Sequence, residues 1–414
     1  MPMKKKNGCS VPRMAHYFRA VNILGASCPE FFPESFPSYC QFDDEWSGEL
    51  LLRLAVRMHH IWPTYGVRDG IRTIQGEHPA VCFTSFSMAD LIAVRDGFTA
   101  QNGTVTQYAI TFPITAALKG GIQPVVQCLN GQASLLDGSS LEGVTQDDAE
   151  NQYRYVSDQT TPPSQRSTHP EWRWRYPGNY RRSIEKIEAN GFEDNIIPGL
   201  KITQKKWSGL GIVVPDRETA SRLQYDVLTL IDQGLVSEEQ FDHILVCDQL
   251  PATLEGLDEQ ALHAAFSGAC FDFKSCRDVP AFKAGLAAMD FSTHLIVLEG
   301  STARATEREH GGCWLWFEDN SHPYVRKLVR AGRVKPNNKG RYLASLDELD
   351  KNRDLRERQD IVLALSEQLR EKYGVKSSYF SVKYSYSPDD DPAYAGRIWG
   401  GGYFITATVD EDDE

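Results

Sequence analysis

His169, Pro170, Glu171, Trp172, Arg173, Trp174, Arg175 and Tyr176 follow one another in this chain. On a β-strand, successive side chains alternate between faces. Glu171, Arg173 and Arg175 then share one face, and Trp172, Trp174 and Tyr176 share the other. The aromatic face buries and holds the strand still. The polar face presents one carboxylate beside two guanidinium groups. Two readings fit that face. One is a solvated ion-pair ladder on a half-exposed strand. The other is a fixed carboxylate that stabilises developing positive charge and handles a proton, with arginines that grip an anion.

Other residue patterns are uninformative. The chain has no phosphate-binding loop of the G-x-x-x-x-G-K-[ST] type, no G-x-S-x-G and no H-E-x-x-H. Gly209 and Gly211 precede an apolar run, the wrong order for a dinucleotide fingerprint. Glu307, Glu309, His310 and Cys313 cluster locally and read as a charged turn, so no metal is expected. His243 and His294 border apolar runs expected to be strands and read as structural.

The elements that would position the polar strand fall into three segments, with no internal repeat. Residues 1–206 are strand-rich. Strands are expected at 80–84, 105–112, 124–129 and 171–176, with an extended piece at 15–21. Helices are expected at 50–60 and 87–96. Residues 130–170 read as a long polar loop, a length that is usually functional or disordered. Residues 207–305 form a small α/β domain: strands at 211–214, 243–247 and 295–298, and a helix between Asp216 and Gly234 with Leu223, Val227, Leu230 and Ile231 on one face. Residues 306–414 hold a helix at 355–373 ended by Gly374, then alternating Phe380, Val382, Tyr384 and Tyr386, then a last strand at 403–409. The fold class expected is α+β or α/β, multidomain.

Composition narrows the setting. The 414 residues exceed what one core usually serves. Apolar residues make up 41% and charged residues 24%, ordinary for a globular protein. No run of about 18 apolar residues occurs, so no membrane span is expected. The basic start has no apolar stretch after it and does not read as a signal peptide. Nine cysteines, an odd number without a C-x-x-C, fit a reducing, cytoplasmic setting; Cys82, Cys128 and Cys247 lie in apolar runs and read as core residues. A net charge of −12 argues against broad nucleic-acid binding. The charge is uneven: residues 151–206 are net basic, and the tail 410–414 is wholly acidic.

Ala80-Val81-Cys82-Phe83-Thr84-Ser85-Phe86-Ser87, with residues 68–77 leading into it, resembles a stretch in AbiG-type abortive phage-resistance proteins. So does the order that follows: Tyr108-Ala109-Ile110-Thr111-Phe112, then Gly121-Ile122-Gln123-Pro124-Val125, then Glu171-Trp172-Arg173-Trp174. The resemblance covers roughly residues 15–180, and residues 373–386 resemble an uncharacterised domain found fused to other modules. This order of motifs is similar in layout to the DNA-targeting branch of ADP-ribosyltransferases. The layout implies NAD as substrate and a transferase reaction. It implies an early NAD contact at His16 or Arg19, further cofactor contacts at Thr84, Ser87, Arg173 and Arg175, and a catalytic set of Glu171, Tyr108 and Ser85. Tyr108 would stack on nicotinamide and Glu171 would be the essential acidic residue. The sequence departs from the layout at His169, where arginine-modifying members carry Gln or Glu. It also separates the early and second strands widely.

Three functions follow as expectations. The first is a phage-defence effector that transfers ADP-ribose from NAD to a macromolecular acceptor, nucleic acid or protein. The second is a non-catalytic sensor, antitoxin or binding module whose acidic surface suits a basic protein partner. The third is a nucleic-acid enzyme that uses the 151–206 stretch, with Trp172, Trp174 and Tyr180 as stacking surfaces.

Overall fold

The strand expected at 171–176 forms at Glu171–Arg175 and lies near one edge of the largest sheet. The structure is a computed structural model that describes residues 12–22, 45–68, 71–72, 74, 76, 78–98, 105–129, 132–135, 151–157, 171–189, 198–304, 309–398 and 402–405. The chain divides into two compact units. One comprises Met1–Ala220 and Val236–Phe271, the other Ser221–Leu235 and Asp272–Glu414. The fold is mixed α/β of the α+β kind, with several sheets.

The first unit is built on an eight-stranded sheet. Its order is Cys270–Phe271, Phe241–Val246, Leu210–Val214, Ala109–Pro113, Arg13–Tyr17, Ala80–Ser85, Glu171–Arg175 and Gln123–Pro124. Only Leu210–Val214 and Phe241–Val246 pair in parallel; the other neighbours are antiparallel. The central strands are buried on both faces, so they read as continuous apolar runs. On one face Ala15, Ala109, Val213 and Leu245 pack under Leu91 and Ile92 of the helix Met88–Arg95 and Phe266 of the helix Glu259–Ala269. On the other, Phe83, Phe112 and Trp207 meet edge to face at 5.3 and 5.4 Å. The 50–60 helix forms at Gly48–Arg57, where Ser47 accepts the Leu50 N–H.

The second unit holds a five-stranded antiparallel sheet in the order Val334–Pro336, Tyr342–Ala344, Gly311–Phe317, Ser377–Lys383 and Tyr394–Ala395. The helix Leu355–Tyr373 lays Ile361, Leu365 and Leu369 on it and ends at Gly374, whose φ of 69° is the left-handed cap that favours glycine. The helix Arg217–Asp232 starts in the first unit and ends in the second. Asp232 at its end accepts from Arg326 at 2.6 and 3.0 Å and from the Tyr342 hydroxyl at 2.7 Å, all inside the second unit. With Asp232 3% exposed, this is a buried, fully engaged carboxylate.

Several expectations change. Residues 295–298 are helical, part of the long helix Ala281–Ser301, because Ala284, Ala287 and Phe291 before them put Leu295 on one buried helical face. The apolar run at 211–214 and the next at 241–246 are not a separate domain; they complete the first unit's sheet. The alternation at Phe380 and Val382 ends at Lys383, since Tyr384 turns to φ 63° and stands 81% exposed. Tyr403 and Ile405 are buried and Phe404 half-buried, with none of them in a strand, and 406–414, with the acidic tail, lie outside the described residues, as do His169 and most of 130–170.

Candidate functional site

The three strands that the layout singles out, Arg13–Tyr17, Ala80–Ser85 and Glu171–Arg175, are consecutive neighbours in the sheet. Ladder partners share a face. Glu171 lies across from Thr84, which lies across from Ala15; Arg173 lies across from Cys82, and Arg175 across from Ala80. Glu171, Thr84, Arg173 and Arg175 therefore stand on one face.

Arg173 is the anchor of that face. It is 2% exposed, and its Nε donates to Glu171 Oε1 at 2.9 Å while Nη1 donates to the Tyr153 carbonyl at 2.6 Å. A buried guanidinium without a carboxylate is costly, so the pair fixes the Glu171 side chain, which stays 25% exposed. The Cys82 thiol sits beside them and is pushed up to about 12, first by burial and then by the Glu171 charge. It is a half-buried thiol that stays protonated at neutral pH. Arg175 reaches His78 at 3.4 Å and stands 6.0 Å from the Tyr153 ring centre. Tyr17 completes the face. Its buried hydroxyl lies toward Thr84 and the Ser87 backbone without a hydrogen bond of ordinary geometry, and burial raises it further from ionisation.

The remaining expected site residues lie elsewhere. Ser85 is across from Met14 and so points to the opposite face from Thr84. His16 is on that opposite face too, edge-on to Phe18 at 4.8 Å, with Nδ1 2.8 Å from the Cys82 carbonyl. Burial, countered by that carbonyl and reinforced by Arg19, lowers His16 to about 4, so it is neutral. Arg19 is exposed beyond the strand's end. Tyr108 accepts the Phe18 N–H at 2.8 Å, and its ring packs against Gly48, where a Cβ would come within 2.9 Å of it. Ser87 caps the helix Met88–Arg95 by accepting the Asp90 N–H at 3.4 Å. His16, Ser85 and Tyr108 are thus separated by the sheet from the Glu171 carboxylate.

Tyr17, His78, Cys82 and Tyr153 were not signalled as site neighbours by the sequence. Cys82 could have been found, since it alternates in step with Thr84; Tyr153 could not, because its contact with Arg173 joins residues twenty apart in sequence. Among the described residues no three His, Cys, Asp or Glu side chains gather to hold a metal. Glu309 is engaged by Lys383 and Arg356 instead, and Glu307 lies outside the described residues.

What the arrangement offers chemically is one oriented, partly exposed carboxylate with a neighbouring hydroxyl, Thr84, and a second cation, Arg175. No curated protein and no solved structure matches this chain. Residues 290–404, within the second unit, match the model of a protein family of unknown function, DUF4427.

Proposed function

We propose that the first unit is an ADP-ribosyltransferase-like catalytic module of a cytoplasmic phage-defence effector, with Glu171 as its essential acid. The observation that carries this reading is the cross-strand pair of Glu171 and Thr84, with Glu171 held by the buried Arg173. In the proposed step the bond between nicotinamide nitrogen and ribose C1′ breaks, and nicotinamide leaves with the electron pair. Positive charge builds on the ribose and the Glu171 carboxylate stabilises it. The acceptor's nucleophilic atom bonds to C1′ and its proton passes to Glu171. Thr84 and Arg175 are the dinucleotide contacts on this face, Arg175 toward the pyrophosphate. His16, Ser85 and Tyr108 keep structural roles on the other face.

A second reading is favoured by one observation. Glu171 already has a partner, the nearly fully buried Arg173, and could exist for that alone. The chain is then a non-catalytic binding module, and its net charge of −12 suits a basic protein partner.

Incubation with labelled NAD and separate pools of DNA, RNA and cell protein separates the two. The transferase reading expects label on one pool from the wild type and none from Glu171→Gln or Thr84→Val, each checked for folding by circular dichroism. NAD turnover that survives in Glu171→Gln would reject Glu171 as the acid. No transfer and no NAD loss from the folded wild type leaves the binding module.

A further inference from the structure

The helix Ala281–Ser301 has two apolar faces. Ala284, Ala287, Phe291 and Leu295 face inward and are buried. Outward stand Phe282, Leu286, Met289, Ile296 and Val297, exposed by 67, 62, 68, 61 and 61%. With Thr293 between them, positions 282, 286, 289, 293 and 296 step by four, three, four and three residues. That is the heptad spacing of a helix–helix seam, and over two heptads it drifts off a straight line by only about 40°.

Five such side chains leave on the order of 500 Å² of apolar surface open, the upper range for a monomer's largest patch. The glycines that border the seam, Gly285 and Gly300, let another helix approach closely and extend the contact. Two such faces together cover about 1,000 Å², the lower end for a specific protein–protein interface.

We propose that this outward face is a self-association surface, covered by the same helix of a second copy of the chain. Charge selects that occupant. A chain of net charge −12 repels its own copies unless they meet on a neutral face. The seam carries no charge, and its acidic neighbours are already engaged internally. Asp290 accepts from Lys372 at 2.5 Å and from the Tyr373 hydroxyl at 2.7 Å. Glu299 pairs with Arg353 at 3.1 Å. Neither acid of this helix is left free for a basic partner. A lipid surface would call for lysines and arginines flanking the apolar face, and Lys283 is the only lysine or arginine within the helix. A seam of equal spacing is complementary to itself, so two copies related by a two-fold axis meet residue for residue.

The test is sedimentation equilibrium of the full chain across a concentration series. The wild type is expected as a dimer. Leu286→Glu and Met289→Glu, singly, are expected to weaken association by about 30-fold or more each, as for a central hot spot. Both sites are exposed, so folding is unaffected, and circular dichroism checks this. Leu363→Glu, also an exposed leucine but on another helix, is the control expected to stay dimeric. As an independent readout, Met289→Cys, near the seam's centre, is expected to give a disulfide-linked dimer on mild oxidation. A monomeric wild type, or association undisturbed by both glutamates, overturns the proposal. So does flotation of wild-type monomer with phosphatidylserine vesicles that Leu286→Glu abolishes, which would assign the face to a membrane surface. The outcome does not depend on whether the first unit turns over NAD.

Discussion

Removing the Glu171 carboxylate leaves the Arg173 guanidinium buried with the Tyr153 carbonyl as its remaining hydrogen-bonded partner in that group. Breaking one side of a buried pair costs about 3–5 kcal/mol. Glu171 is itself 25% exposed, so water compensates partly and the lower end applies, about 3 kcal/mol for Glu171→Leu. Glu171→Gln keeps an acceptor oxygen and loses only the charge assistance, about 1–2 kcal/mol. Arg173→Met leaves a carboxylate that water can reach, again about 1–2 kcal/mol. The double variant Glu171→Leu with Arg173→Met removes both charges and should be more stable than Glu171→Leu alone, with a coupling of about 2 kcal/mol. Urea unfolding followed by tryptophan fluorescence reads this directly, since Trp172 and Trp174 lie on the same strand. Two units need not unfold together, so hydrogen exchange of the Glu171–Arg175 amides should accompany it. Glu171→Leu within about 0.5 kcal/mol of the wild type would refute the reasoning, as would a double variant that merely sums the two singles. The cost also sets the design of the activity test. Glu171→Gln, not Glu171→Leu, is the substitution that separates lost chemistry from lost structure.

Three further outcomes are expected. His60 is 3% exposed, its Nδ1 lies 2.9 Å from the Met58 carbonyl and its Nε2 accepts from the Trp62 indole, so both nitrogens suit the neutral ring, and burial lowers it to about 4. The unfolded chain takes up this proton first as pH falls, so His60's contribution is complete above about pH 6.5 and drains away toward pH 4. That is worth about 3 kcal/mol and is visible as a urea midpoint that falls with pH less steeply in His60→Gln. Burial pushes Cys82 and Cys247 up to about 12 and Cys313 up to about 11. Iodoacetamide should spare all three in the native protein at about pH 8 and label them in urea, and native labelling of any one would contradict its raised pKa. Gly211→Ala would thrust a Cβ to within 2.3 Å of His243 Nε2 and 2.5 Å of Thr111 Oγ1 in the middle of the first unit's sheet. A loss of about 2 kcal/mol or more is expected in thermal melts, and an unchanged melting temperature would show that the strands can part there.

Residues with strong periodicity and local caps were legible in the sequence. The helix Leu355–Tyr373 has its apolar stripe, its Asp354 cap and its Gly374 stop, all local signals. The alternation of Glu171 to Arg175 gave that strand and its polar face within one residue. Residues 295–298 misled because a short apolar run suits a strand or a helix equally, and only the fourteen helical residues before it, 281–294, decide. The site was half legible for a related reason. Alternation sorts residues within a strand, but which residue of one strand stands across from which of the next is set by distant packing. Thr84 and Ser85 are adjacent in sequence, yet one faces Glu171 and the other does not. Likewise the reach of Arg173 to Tyr153 is invisible without the fold.

The helix Arg217–Asp232 makes the two units interleaved stitches of one thread. The chain supplies the second unit's Ser221–Leu235, returns to finish the first unit with Val236–Phe271, and only then goes on. During synthesis the first unit's sheet therefore waits for strands that leave the ribosome after part of its neighbour has been made. Nor can either unit be released by one proteolytic cut. A fragment trimmed to residues 290–404 would keep Arg326 and Tyr342 and lose Asp232, the acceptor of both. It would carry a buried cation without its anion, so the boundaries of the recognisable family stretch are not boundaries at which the chain can be cut.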